Sequence, residues 1–178
     1  MRARLDEQDV AGILDASALE AYASAMPSDM VPETEVTRLY AALRARLDRE
    51  TARRIARDAG RRTAGYVLTH RIPHFAQGLF PALPRPLGRR ALMLAIRANA
   101  WTFAGSARIR MRFAAPASIS LRDCPICRNA KVKEPACVYY AATFEHLFRT
   151  LIDPAYRVEE VACQAEGARE CVFQIGTV

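Results

Sequence analysis

Three cysteines and one glutamate in the last quarter of the chain, Cys137, Glu160, Cys163 and Cys171, have types and spacing suited to holding a metal ion. Two thiolates and a carboxylate from one hairpin, joined by a third thiolate from the start of the preceding helix, make a four-ligand set of the kind zinc selects. Zinc suits thiolate with carboxylate at four-coordination, and the donors are too few for a cluster plus an open position. Glu160 is the awkward member. Residues three apart on a regular strand point to opposite faces, so a common ion for Glu160 and Cys163 demands a bulge or bend between them.

A competing set exists. Cys124-Pro-Ile-Cys127 is a C-x-x-C pair with spacing suited to one metal, and it could join Cys163 and Cys171 in an all-thiolate site. As a redox dithiol it is weaker, because it follows a strand and no thioredoxin-like pattern surrounds it. A third reading is five reduced thiols, some buried as small apolar groups.

The elements that must position these residues follow from periodicity. Residues 135–151 read as a helix with Pro135 near its first turn and a buried stripe of Phe144, Leu147, Phe148 and Leu151. Residues 156–163 and 171–177 read as two strands of a hairpin turning at 165–167. Upstream, 106–113 alternates between arginines (Arg108, Arg110, Arg112) and apolar residues, a half-buried strand, and 117–121 is a second strand after a turn at 114–116. Residues 91–103 are apolar nearly all round and predict a buried helix at the centre of the domain, after a loop marked by Pro81, Pro84, Pro86 and Gly88. A helix is expected from near Pro32, with Leu39, Leu43 and Leu47 on one face. Residues 48–63 predict another, carrying Arg49, Arg53, Arg57 and Arg61 in a row, either as a solvated face or as an anion-facing surface. Residues 12–26 read as a short strand or turn leading into a small helix.

At 178 residues the chain suits one domain, with 1–62 a helical segment belonging to the same domain as a core at 63–178. The longest apolar run, 91–96, is six residues against the roughly 20 needed to span a bilayer. The N-terminus begins basic but lacks an apolar stretch, so no secretory signal is expected and the protein is placed in the cytoplasm. Five cysteines in a reducing compartment argue against a disulfide framework. The net charge of +7, mostly arginine, favours anionic partners such as lipid head groups, an acidic protein or a carboxylated ligand. Nucleic acid is disfavoured, because no aromatic residues interleave with the arginine row as stacking platforms.

The arrangement from Pro135 to Gly176 resembles the 4-vinyl reductase domain, a ligand-binding module of bacteriochlorophyll biosynthesis proteins and of aromatic-responsive bacterial activators. The activators hold zinc with a helix-start cysteine, a glutamate, a cysteine three further on and a last cysteine eight beyond, which here match Cys137, Glu160, Cys163 and Cys171. Arg71-Ile-Pro-His-Phe-Ala, Ala98-Asn-Ala-Trp-Thr-Phe-Ala-Gly and the C-terminal stretch are most similar to the members found in purple photosynthetic bacteria. The resemblance implies an α+β fold, a single domain whose antiparallel sheet is packed with helices, similar also to vesicle-tethering complex subunits and commonly dimeric. It implies a vinyl-bearing magnesium tetrapyrrole ligand, a magnesium porphyrin or protochlorophyllide. Such a ligand would meet partners among the enzymes of bacteriochlorophyll synthesis, with peripheral contact at the inner or photosynthetic membrane left open.

For that ligand the candidate contacts are His70, His74 and His146 toward a central magnesium, and Trp101 and Phe103 as ring walls, each of which also has an ordinary structural reading as a surface histidine or core aromatic. Reducing a vinyl group takes two electrons and two protons, and side chains cannot supply the hydride. No G-x-G-x-x-G follows a strand and no ferredoxin-like cysteine run is present. The favoured expectation is therefore a tetrapyrrole carrier or accessory with a structural zinc. The alternatives are the 4-vinyl reductase itself, fed by a bound cofactor or another protein, and a non-catalytic dimerisation or ligand-sensing module.

Overall fold

The computed structural model describes residues 5–25, 27 and 29–177. Among them the element order is α1 (Glu7–Ala16), α2 (Ala21–Ser24), α3 (Glu33–Arg46), α4 (Arg49–His70), α5 (His74–Leu79), α6 (Arg85–Ala98), α7 (Trp101–Ala104), β1 (Arg108–Arg112), β2 (Ala117–Arg122), α8 (Val138–Leu151), β3 (Tyr156–Ala162) and β4 (Cys171–Thr177). The reading of the extreme N-terminus falls partly on residues 1–4, and two expected segments end at 26 and 178; those positions lie outside the described residues.

The four strands form one antiparallel sheet in the order β1-β2-β4-β3. Alternation decides which face is covered. Ile119 and Leu121 of β2, Tyr156 and Val158 of β3, and Phe173 and Ile175 of β4 are buried, while Arg108, Arg110 and Arg112 of β1 stay exposed. Helix α8 lies on the buried face: Phe144 meets Phe173 edge-on at 5.5 Å between centroids, and Phe148 tilts against Tyr156 at 5.4 Å. Each such fully buried aromatic or leucine contributes about 2 kcal/mol.

Helix α4 packs on the other side of α8, and the crossing is close because position 60 is glycine. A Cβ there would run into the Tyr139 carbonyl, and the Thr143 hydroxyl donates to the Gly60 carbonyl at 3.1 Å. The N-terminal helices bury smaller clusters of their own, Ile13 with Ala42, Leu43 and Ile55, and Val10 with Leu14 and Leu19. Asp6 and Asp48 cap α1 and α4, accepting from the Asp9 N–H at 2.7 Å and the Thr51 N–H at 3.0 Å. No described helix is long and apolar enough to cross a membrane.

Three expectations are corrected. Residues 12–26 contain no strand among the described positions; Asp6 caps a helix that runs to Ala16 before a second short one. Half of the expected loop at 81–88 is the first turn of α6, because Pro86 sits where a helix needs no N–H donor, and Phe80–Ala82 form a 3-10 turn before it. The helix expected over 91–103 is not central: it breaks at Asn99–Ala100, buries one face through Leu92, Met93 and Ile96, and leaves Leu94 and Trp101 exposed. The central helix is α8, which buries nine of its fourteen residues.

Candidate metal centre

Register brings the donors together. Leu121 pairs with Cys171, so the turn that follows β2 delivers Cys124 and Cys127 beside the start of β4. The β3–β4 ladder shifts register between Glu160 and Ala162, the irregularity that a shared ion for Glu160 and Cys163 requires. Cys137 is the N-cap of α8, facing the same point. All five cysteines are buried, and Glu160 is only 9% exposed.

The donors fall into two overlapping groups whose ligand atoms each lie within 4.8 Å of one another: Cys124, Cys127, Cys137 and Cys171, and Cys137, Glu160, Cys163 and Cys171. Sulfur–sulfur separations are 3.4 Å for Cys124–Cys137 and for Cys127–Cys171, 3.7 Å for Cys137–Cys171 and 3.9 Å for Cys163–Cys171. Zinc–sulfur bonds of about 2.3 Å in a tetrahedron place sulfurs about 3.8 Å apart, so the donor set fits a tetrahedral thiophilic ion. The C-x-x-C pair groups with Cys137 and Cys171, in place of the Cys163 and Cys171 of the competing set.

The electrostatics point the same way. Burial first, and then the Cys163 sulfur, push the Glu160 carboxyl up to about 9 in the absence of a cation. Its Oε2 accepts from the Cys137 N–H at 2.7 Å, while Oε1 is buried without a hydrogen bond. Contacts from Cys124 and then Cys137 hold the Cys127 thiol far below its ordinary range, and contacts from Cys124 and Cys127 push Cys137 and Cys171 far above theirs. A cation among these sulfurs would favour their thiolate forms, so the cluster is one that could hold a metal ion.

Several positioning residues carry no sequence signal. The Cys124–Cys137 connection has almost no regular structure, and its backbone is held by side chains. Thr37 donates to the Pro125 carbonyl at 2.8 Å, Arg44 to Ile126 at 2.8 Å and Arg53 to Pro135 at 3.1 Å, while Arg49 pairs with Glu134. Gln164 accepts from the Cys124 N–H at 3.1 Å, and its own N–H donates to the Cys171 sulfur at 3.4 Å. Part of the arginine row thus clamps the cysteine loop, while Arg57 and Arg61 remain exposed. Beside the loop, Leu43, Leu47, Ala52, Ala56 and Val138 wall a cleft of about 370 Å³ whose mouth carries Arg44, Arg49, Arg53 and Lys133.

The other candidate residues do not line that cleft. His70 and His74 are exposed at the end of α4 and the start of α5, with His70 stacked on Tyr66 at 4.4 Å. Trp101 is 56% exposed on α7 with the Arg71 guanidinium 5.8 Å above its ring. Phe103 is half-buried against Tyr140 and Phe144. His146, on α8, lines a separate hollow with Arg61, Glu145 and Arg149.

Residues 117–177, which contain all five cysteines and Glu160, match the V4R domain. The chain is 42% identical over 148 residues to the bacteriochlorophyll synthase 23 kDa chain of Cereibacter sphaeroides, covering 83% of this chain and 71% of that protein. It is 38% identical over 147 residues to the bacteriochlorophyll synthase 23 kDa chain of Rhodobacter capsulatus, covering 82% and 68%. The chain belongs to the family of these V4R-domain proteins. A crystal structure of a vinyl-4-reductase family protein from Methanocaldococcus jannaschii superposes over 98% of both chains at 16% identity, with a TM-score of 0.42.

Proposed function

We propose that the protein serves bacteriochlorophyll synthesis by binding a vinyl-bearing magnesium tetrapyrrole, as carrier or accessory to vinyl reduction, with zinc on Cys137, Glu160, Cys163 and Cys171 stabilising the fold. The names of the relatives supply the pathway. The observation that carries the binding role is the corner where α4 ends and α5 and α7 begin. Tyr66, Phe75 and Trp101 are all more than half exposed there, alongside the exposed His70, His74 and Arg71. A flat macrocycle needs that combination: apolar rings for its faces, an imidazole for its metal and a guanidinium for its carboxylates. Phe103, on α7, packs against Tyr140 and Phe144 and is a candidate ring wall, and His146 is the candidate axial donor at a second position. The working location is cytoplasmic with peripheral membrane contact, and the partners are the enzymes of the pathway and a second copy of the chain.

Trp101 is the one tryptophan of the chain, so it reports on this corner directly. Titration with a magnesium porphyrin is expected to shift the visible spectrum and quench Trp101 emission together, with His70→Ala and Trp101→Phe weakening the spectral change. Unchanged visible spectra and undiminished emission would overturn the binding role. Sustained reduction of a divinyl substrate by purified protein with NADPH, without helper proteins, would replace the carrier reading by the reductase one.

The cleft beside Ala136–Val138 favours a second reading, a sensor of a small anionic aromatic molecule, since it has apolar walls, a cationic mouth and room for one or two rings. Saturable binding of such a molecule that Arg53→Ala abolishes, with no porphyrin binding, is the result that would favour it.

A further inference from the structure

We propose that the buried donors hold two metal ions, as a pair of four-coordinate sites that share the thiolates of Cys137 and Cys171 as bridges. Cys124 and Cys127 complete one site; Glu160 and Cys163 complete the other. The inference rests on the reading of the second of these as a metal site and adds the first to it.

The two groups of four overlap in a common pair. Each group of four has its ligand atoms within 4.8 Å of one another, and the groups overlap in just those two residues. The common edge, Cys137–Cys171, measures 3.7 Å, against about 3.8 Å for two thiolates on one zinc ion. Each added cysteine leans on a different bridge, Cys124 on Cys137 and Cys127 on Cys171, both at 3.4 Å. In the second group Cys163 approaches Cys171 at 3.9 Å, and the Glu160 carboxylate accepts from the Cys137 N–H.

A single ion leaves two of the six donors unused in either arrangement. If it takes the four cysteines of the first group, Glu160 Oε1 stays buried and unpartnered beside Cys163. If it takes the second group, Cys124 and Cys127 remain 1% and 2% exposed against bound thiolates. Two divalent ions use every donor and offset most of the negative charge. The N-terminus of α8, whose N-cap is Cys137, faces the remainder with its positive end. An iron–sulfur cluster does not fit the first group, because it spreads its thiolates around at least two irons and these four sulfurs enclose room for one ion. The C-x-x-C turn is also preset: Thr37, Arg44 and Gln164 fix its backbone from two other elements.

The test is metal stoichiometry on full-length protein, by native mass spectrometry after zinc loading and by cobalt(II) titration of chelator-treated protein. Wild type is expected to take two ions per chain. The Cys124→Ser/Cys127→Ser variant should keep one, and Glu160→Gln/Cys163→Ser should also keep one. Saturation of wild type at a single ion that survives Cys124→Ser/Cys127→Ser would overturn the shared-edge pair and leave the single-zinc reading intact. A single ion lost in that variant but retained in Glu160→Gln/Cys163→Ser would overturn both, as would no ion at all. Should either variant fail to fold, the cobalt titration of wild type decides alone, one equivalent against two.

Discussion

The backbone N–H of Cys137 donates to Glu160 Oε2 at 2.7 Å, joining the N-cap of α8 to the irregular end of β3. That bond fixes the carboxylate beside the sulfurs and satisfies one of the donors a helix start leaves without an intrahelical partner. It also makes Glu160 structural in its own right, apart from any ion. Glu160→Ala strands a buried N–H and is expected to lower stability by about 1–3 kcal/mol even in chelator-treated protein, whereas Glu160→Gln keeps an acceptor and recovers most of the loss. Denaturant unfolding of the metal-free proteins separates this from ligation.

Metal removal should act on the same part of the fold. Chelation is expected to lower stability by about 3–5 kcal/mol, or roughly 10 °C in midpoint for a chain of this size. Cys171→Ser, which removes a donor common to both groups, should do the same. The two effects should not add: chelator has little left to take from the variant. Calorimetry with and without chelator makes the comparison.

Glu33 gives a pH signature of its own, at the edge of the cysteine loop. The Ser106 N–H at 2.7 Å, Arg128 at 2.7 Å and the Ser106 hydroxyl at 2.8 Å hold its carboxyl down to about 2. The folded value lies below the unfolded one, so the contribution is present above about pH 4.5 and is lost as pH falls toward 2. With the side chain a quarter exposed, Glu33→Gln should cost only about 1 kcal/mol at pH 7. Urea midpoints of the two proteins should converge between pH 4.5 and pH 2.

Two glycines of α4 offer a matched pair. Gly60→Ala forces a Cβ against the Tyr139 carbonyl and is expected to destabilise by about 1–3 kcal/mol. Gly65→Ala meets nothing within 4 Å and should stabilise by up to about 1 kcal/mol through helix propensity. Thermal midpoints moving in opposite directions confirm the α4–α8 crossing.

The sequence by itself determined the elements around the cysteine cluster and singled out Cys137, Glu160, Cys163 and Cys171, which the fold brings together. The alternation of 106–113, the stripe Phe144, Leu147, Phe148 and Leu151, and the turn before Cys171 are local periodicities, set by which faces of a strand or helix must avoid water. The bulge after Glu160 was legible too, because two ligands three apart on a strand have no other way to meet. Tertiary structure alone decided the rest. That Cys124 and Cys127 join Cys137 and Cys171 depends on the β2–β4 register, a pairing of residues fifty apart that leaves no periodic trace. Arg44 and Arg53 look like solvated charges in the sequence, and they became clamps only because α3 and α4 meet a loop whose carbonyls need donors. For the same reason 91–103 misled: composition said buried, but α8 had already filled the space against the sheet, and burial is a property of the whole packing.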